Sequence, residues 1–394
     1  MKILIVGAGI AGTSLAFFLS QHEVTVIERA SHLRASGLQI DLRGAGIKVL
    51  KKMGLEDAFR EKAVPEQGIA LEDSRGRRWG YFPANRAKKG LQSFTTDYEI
   101  MRGDFCQLLY DQTRHQARYL FGVAVDSLSQ TEGGKVTVLF SNGQADVFDL
   151  VVGADGLHSR TRRMISLDGF HPLGMYAGYF TFKQDMVKNK EDYVATAFLA
   201  HQNRFIMTRR HNESTLQAYL ICKDNMISCK NENDREKKMD DLTAVFSGAG
   251  WRTKRILQGM RESTDFYGES MGFVQADKWS DGRVVLLGDA AYSPSAMTGM
   301  GTTCALVGAF VLAGELNLGG VNVETALQEY ERKLRPFLDQ VQKGLDGMAG
   351  RFPSSSFGVG ILYCLFALAS FFRLDVLARY VLREGVSWEL PEYI

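Results

Sequence analysis

Unbroken apolar runs, each stopping at a glycine, punctuate the chain in three places. Residues 3–6 run into Gly7, residues 150–152 into Gly153, and residues 284–287 into Gly288. Such runs are short, β-branched and without polar alternation. They predict strands buried on both faces, as in a mainly parallel sheet between covering layers. After the first run, Leu15, Phe18 and Leu19 recur at helical spacing across residues 12–21, and residues 24–27 form the next strand. That is a βαβ unit.

Other patterns follow along the chain. Residues 44–62 and 104–117 have helical periodicity, the latter after a strand-like stretch at 98–101. Residues 67–82 read as a hairpin turning at Ser74-Arg75-Gly76. From 119 to 153, strand-like runs alternate with turn signals at Glu132-Gly133-Gly134 and Ser141-Asn142-Gly143, a β-meander ending in the buried run 150–152. At 174–222 the character changes, and residues 175–183, 194–199, 204–208 and 215–222 predict an antiparallel sheet. The mixed charge run 230–241 reads as a solvated helix start, 301–316 as a largely apolar helix, and 323–349 as a helix kinked at Pro336. The last forty residues read as apolar and helical.

Composition narrows the class. With 394 residues, 45% of them apolar and 23% charged, the chain is an ordinary globular one. A net charge of +2 argues against an electrostatic nucleic-acid binder. The 5 cysteines are odd in number and show no CxxC pair, against a disulfide framework and for a reducing, cytoplasmic setting. The 7 histidines lack metal-ligand spacing, so we assign no metal. Met1-Lys2 and the apolar run after it have the look of a signal peptide, but Gly7, Gly9 and Gly12 interrupt the run, and we read a strand entering a core.

The first chemistry lies in Gly7-x-Gly9-x-x-Gly12. Gly7 allows the tight turn, Gly9 lets the backbone approach a pyrophosphate, and Gly12 lets the helix pack close to the sheet. Ala11 lies inside the motif. A diphosphate there meets free N–H groups and the positive end of the helix dipole. Glu28, 21 residues after Gly7, ends the second strand where a carboxylate can take ribose hydroxyls, and Arg29 beside it can reach the adenosine end. The motif does not separate a nicotinamide from a flavin dinucleotide.

Two further segments do. Residues 151–162 read Val-Val-Gly-Ala-Asp-Gly-Leu-His-Ser-Arg-Thr-Arg, and 284–301 read Val-Val-Leu-Leu-Gly-Asp-Ala-Ala-Tyr-Ser-Pro-Ser-Ala-Met-Thr-Gly-Met-Gly. With the first motif, in this order, they make the chain resemble the single-component FAD monooxygenases typified by p-hydroxybenzoate hydroxylase, salicylate hydroxylase and the tetracycline-inactivating monooxygenases. The resemblance implies a Rossmann-like α/β FAD-binding domain at 1–170 and 276–350. The change of pattern at 174–222 sets off an antiparallel-sheet substrate domain at 171–275, to which 65–97 contributes, and the apolar helical stretch beyond it a C-terminal helical tail at 351–394. The resemblance implies non-covalent FAD, NADPH or NADH as co-substrate, and O2, with a flavin C4a-hydroperoxide hydroxylating or epoxidising a small molecule of natural-product type. The cofactor carries the reactive atom, which fits a chain without an obvious nucleophile or general base.

The resemblance also assigns residues. Asp289 would bond the ribityl chain, and its place after a buried strand suits a ligand at a strand's C-terminal end; an N-cap of purely structural use is the other reading of that Asp. Pro294 and the turn Gly299-Met300-Gly301, followed by Thr302, would present backbone N–H groups to the flavin N1/O2 edge. Asp155, Gly156, Ser159 and Arg162 match the motif GADGxxSxVR, which serves FAD and the nicotinamide together; Thr161 stands where that motif has Val. Arg102 would contact the ribityl and phosphate region, where a guanidinium's fixed fork suits a diphosphate. Gln39, Asp41 and Arg43 fall near the isoalloxazine, with Asp41 and Arg43 as candidates.

Substrate would lie between the flavin and the 174–222 sheet. Tyr179 and Thr181 share one face and Phe180 and Phe182 the other. Arg204 and Met207 are further candidates, and the aromatics suggest an apolar, aromatic or polycyclic substrate. A halogenase would need a WxWxIP signature, which residues 79–83 only loosely echo. A cyclase or isomerase without net redox, or a membrane-associated flavoprotein, are the alternatives. The partner expected is a small molecule, not nucleic acid, with the chain a monomer or weak oligomer. In the tail, the apolar core 361–372 has 12 residues, short of the roughly 20 a membrane span needs. We expect the tail to pack on both domains and help close the substrate site, with an in-plane membrane contact second.

Overall fold

The computed structural model describes residues 1–34, 37–84, 97–130, 134–183, 193–229, 234–320, 322–345, 355–374 and 388–393. The three apolar runs sit side by side in a six-stranded sheet. Its order is Ser280–Asp281, Val284–Leu286, Leu150–Gly153, Lys2–Val6, Glu23–Glu28 and Arg118–Phe121, parallel except for the first. Ile3 pairs with Leu150 on one side and Val24 on the other.

The runs are continuous because both faces are covered. Ile3 and Ile5 enter a core with the helices, whereas Leu4 and Val6 enter a second core under the antiparallel sheet Val125–Gln130, Val136–Phe140 and Ala145–Phe148. Helix Gly301–Asn317 is apolar around most of its circumference because it runs through the first core.

The second, seven-stranded sheet has the order Tyr267–Val274, Phe170–Lys183, Thr215–Lys223, Arg204–Asn212, Val194–Ala200, Gly68–Glu72 and Arg78–Pro83. Helices Arg235–Phe246 and Thr253–Glu262 cover one face, where Phe180 and Phe182 lie. The other face carries Met175, Ala177, Tyr179, Tyr219, Ile221 and Met271, and packs against Leu38 and against Met297, which precedes the helix Gly301–Asn317. The hairpin at 67–82 is thus part of this sheet, joined through a parallel pairing of Gly68–Glu72 with Val194–Ala200.

Several expectations change. Strand Arg118–Phe121 leaves the meander and extends the parallel sheet beside Glu23–Glu28. Residues 44–62 form two helices, Gly44–Lys52 and Glu56–Glu61, separated at Gly54, whose φ of 69° lies in the left-handed region. The helix expected at 323–349 ends at Gln342, with Pro336 inside it. Among the described residues of the tail, Ser356–Phe371 form a helix and 388–393 are not helical. The turn at 132–134 lies mostly, and the tail's 351–354 and 375–387 wholly, outside the described residues.

Candidate active site

The first wall of the site is backbone. Gly7 has φ 113°, and a Cβ there would run into the carbonyl of Ala154 at the end of the neighbouring strand. A Cβ on Gly12 would run into the Gly7 carbonyl. Helix Ile10–Phe18 begins at Gly9 with no side-chain cap, so its first-turn amides are left for another acceptor. The space over Gly9 is faced by Arg102: its Nη2 lies 3.8 Å from where a Gly9 Cβ would be. Arg102 starts helix Arg102–Thr113, and its own amide donates to Leu38 O.

Glu28 braces this turn, accepting from Ala8 N at 3.2 Å and from Ala30 N at 3.0 Å. Arg29 is exposed beside it. Gly288, with φ 65°, passes so close to the first helix that a Cβ would lie 2.8 Å from Ala11 Cβ. That approach brings Asp289 to the same cleft. Its side chain is accessible from the cleft yet ringed by protein, so desolvation pushes its carboxyl above the ordinary range, opposed by a Ser293 hydrogen bond and the Arg102 charge.

The turn after it continues the wall. Pro294 is buried, Gly299 is left-handed at φ 64°, and helix Gly301–Asn317 begins at Met300 with no side-chain cap. A Cβ on Gly299 would lie 3.4 Å from Asp41 Oδ1 and 3.8 Å from Arg43 Nη2, and one on Gly301 would lie 3.9 Å from Asp289 Oδ1. Asp41 and Arg43 form an ion pair at 2.6 Å. The Arg43 amide donates to Thr303 Oγ1 at 2.9 Å, and Thr302 is half-buried next to it. Residues distant in sequence, at 7–12, 41–43, 102 and 288–302, therefore converge on one cleft.

Asp155 departs from the expected contact surface. Its carboxylate accepts from Ser159 Oγ, Arg160 N, Thr161 N and Thr161 Oγ1 at 2.5–3.1 Å, capping the short helix Arg160–Met164. Arg162 is buried, donating to Ala290 O and Leu157 O at 2.8 Å. These side chains shape the loop. Gly156, with φ 85° and open space around it, is the part of the motif that a ligand could approach.

On the sheet, Tyr179 and Met207 do face the cleft, with Tyr219 edge-on to Tyr179 at 5.7 Å between ring centroids. Thr181 shares that face but donates to Asp265 at 2.9 Å. Arg204 is a correction. It points to the helix-covered face, donating to His201 O at 3.1 Å and Val245 O at 2.9 Å. Positions 204 and 207 are three apart on a strand, so they cannot share a face.

Arg209, two residues after Met207, takes the cleft-side place. It donates in a fork to Glu66 at 2.8 Å and also binds Glu99, while Gln39 Nε2 bonds both carboxylates. Burial works against the Arg209 charge, but Glu99 and Glu66 outweigh it and hold the guanidinium firmly protonated. Tyr219, beside this cluster, has its phenol pushed up to about 12, mainly by burial. Glu269 sits opposite Ala177 on the edge strand; burial raises its carboxyl, and Tyr267 OH donates to it at 2.7 Å. Strand parity from Met207 and Tyr179 was the signal for Arg209 and Tyr219; the acids come from separate segments and carried none.

An uncapped helix start over glycine, an arginine facing it and a cleft-side carboxylate short of donors fit a flavin dinucleotide. Gly9 and Arg102 would hold the diphosphate, Asp289 the polyol, and the Gly299–Thr302 turn the ring edge. Comparison with known proteins agrees. A family model for an FAD binding domain matches residues 1–344. FAD-dependent monooxygenase asL4 of Sarocladium schorii is 40% identical over 100% of this chain and 98% of its own. Flavin-dependent monooxygenase eupH of Phoma sp is 37% identical over 94% of this chain and 92% of its own. The crystal structure of tetracycline destructase Tet(51) superposes with a TM-score of 0.79 at 29% identity, covering 100% of this chain and 99% of that one. The chain therefore belongs to the FAD-dependent monooxygenases, with FAD as its cofactor.

Proposed function

We propose that the protein uses NADH or NADPH, with O2, to place one oxygen atom on an apolar small molecule with an aromatic or multi-ring skeleton. The observation that carries this is the cleft-side face of the seven-stranded sheet. There Met175, Tyr179, Tyr219, Ile221 and Met271 form one apolar cluster with Leu38, Phe205, Met207 and Met297, the last of these two residues before Gly299. Flat, polarisable side chains with few polar tips suit a ring system. The likeness to a tetracycline destructase supports a multi-ring substrate.

FAD, when bound, accepts hydride and activates O2. The chain's own work is to bind, orient and exclude water. Uncapped amides at Gly9 and Met300 receive negative charge at the phosphates and the ring edge. Tyr179 offers a phenol O–H at the pocket wall, and burial raises its pKa further above the ordinary range. The apolar cluster keeps the reacting face dry. A reducing, cytoplasmic setting fits cysteines that form no disulfide.

The test is turnover of purified yellow protein with ring-containing candidates. The expected result is substrate-stimulated NAD(P)H oxidation, one O2 consumed, and a product heavier by one oxygen. An isomeric product with no O2 uptake would favour a flavoprotein without net redox and overturn the reading.

A further inference from the structure

Among the described residues, the contacts of the tail helix Ser356–Phe371 all lie on one side. Its inner face sets Val359, Leu362, Tyr363 and Phe366 on Leu71, Trp79, Ala197, Leu199 and Phe205 of the seven-stranded sheet. Tyr363 OH donates to Glu72 O at 2.7 Å, and Ser370 Oγ bonds both N and O of Tyr81 at 3.0 and 2.9 Å. These bonds set the roll of the helix. Its outer face cannot turn inward without breaking them.

That outer face is apolar. Phe357, Ile361, Leu365, Leu368 and Phe372 follow one another at spacings of three and four, with Phe371 and Leu374 beside them. Phe357 and Phe371 are each 80% exposed. Of the 12 exposed large hydrophobics among the described residues, 7 belong to this segment, so the exposure is a patch and not scatter.

Charge and area select the occupant. Residues 355–374 contain no Asp or Glu. The neighbouring hairpin turn presents Arg75, Arg77 and Arg78, all exposed; Arg77 lies 5.3 Å over the Trp79 ring, which itself packs at 5.7 Å on Tyr363. Asp73 in that turn is occupied by the amides of Arg75 and Arg77 and by Trp79 Nε1. A second copy of the chain is disfavoured by size: one side of a helix about 25 Å long and roughly 10 Å wide falls short of the ~800 Å² per partner of a stable interface. A fluid apolar layer with an anionic surface meets both the stripe and the arginines.

We propose that this helix lies in the plane of an anionic phospholipid membrane, its outer stripe among the acyl chains and the adjacent arginines at the headgroups. Phe205 packs against both the helix and the Tyr179 cluster, so the membrane-facing element borders the pocket. The proposal is independent of the substrate reading.

Full-length, FAD-loaded protein is floated with vesicles of phosphatidylcholine alone or mixed with phosphatidylserine. It is expected to float with the mixed vesicles. The variant Phe357→Gln/Ile361→Gln/Leu365→Gln is expected to lose at least about tenfold in partition while keeping its flavin spectrum and melting temperature. Arg77→Gln/Arg78→Gln should lose several-fold, with less dependence on salt. Cys364 is exposed on this helix while the other four cysteines are buried, so it reports on coverage. It should react readily with a thiol reagent in the free protein and slowly on mixed vesicles. Wild type that stays out of the lipid fraction, or a triple variant that floats equally well, overturns the proposal. So does a lipid-free dimer that the triple variant dissolves, or a Cys364 already shielded in the lipid-free monomer, which would mean that the chain's own remaining tail covers the stripe.

Discussion

The glycine turn beneath the first helix and the cleft-side face of the seven-stranded sheet border the same space but are built from different material. At the turn, the contacts are backbone: Gly7 is held against Ala154, Gly12 against Gly7, and helix amides stay uncapped above Gly9. On the sheet, they are side chains, and each one's direction follows from its parity along a strand. Backbone sites announce themselves by residue type, because few residues tolerate the geometry. Side-chain sites depend on register, where one step reverses the face.

The largest effect should come from the register side. Arg209→Ala would leave Glu66 and Glu99 buried without their guanidinium, costing about 3–5 kcal/mol. Arg204→Ala removes hydrogen bonds to two carbonyls, costing about 1–3 kcal/mol, and should leave KM for substrate unchanged because it faces the helices. Urea unfolding of the two variants checks this. Equal losses, or a KM effect confined to Arg204→Ala, would reverse the assignment of faces.

Much of the cofactor side was legible in the sequence. Gly7, Gly9, Gly12, Arg102, Asp289 and the Gly299–Thr302 turn stand along one cleft, because strand ends in an open parallel sheet line up at the same edge. Asp155 shows the limit: its residue type marked the loop, but which way the carboxylate turned depended on Ser159 and Thr161. On the sheet, alternation separated Tyr179 from Phe180 correctly and would have excluded Arg204 once Met207 was accepted. Glu66 and Glu99 lie far in sequence from Arg209, and no local pattern links them.

The glycine side can be broken with one methyl group. Gly7→Ala combines φ 113° with a clash against a fixed carbonyl, so the turn must move away from the helix start. Flavin affinity should fall at least about 100-fold, or ~2.7 kcal/mol. Gly156→Ala carries similar strain at φ 85° but into open space, and should keep its flavin at a stability cost near 1 kcal/mol. Flavin titration of both proteins is the measurement, and equal affinities would mean that the close approach at Gly7 does not matter.

Asp289 lies between the two kinds of site, and its sign can be worked out. Burial raises its folded pKa above the unfolded value, so the folded protein binds more protons between those two values and stability falls as pH rises through that window. Above it, the charged carboxylate is a standing cost to the flavin-free protein. Asp289→Asn carries no such charge. Flavin-free, it should melt above wild type at neutral pH, with the gap closing in acid. FAD affinity should fall about tenfold through the lost charged acceptor. Thermal melts with and without FAD across pH test both halves.

The smallest effect is the sharpest probe of the sheet face. Tyr179 is 7% exposed, stands edge-on to Tyr219, and carries a phenol whose pKa burial raises above the ordinary range. Among the described residues no group accepts its hydroxyl, whereas Thr181 on the same face is bonded to Asp265. A donor held without a protein acceptor at the pocket wall is available to substrate. Tyr179→Phe removes that donor and little volume, so KM should rise about 2–10-fold while flavin content and melting temperature hold, the worth of one neutral hydrogen bond. Thr181→Val should do the opposite, lowering stability by about 1 kcal/mol with KM unmoved. If Tyr179→Phe leaves KM where it was, the substrate does not use this hydroxyl. If Thr181→Val raises KM instead, the pocket extends further along the strand toward Asp265 than the apolar cluster does.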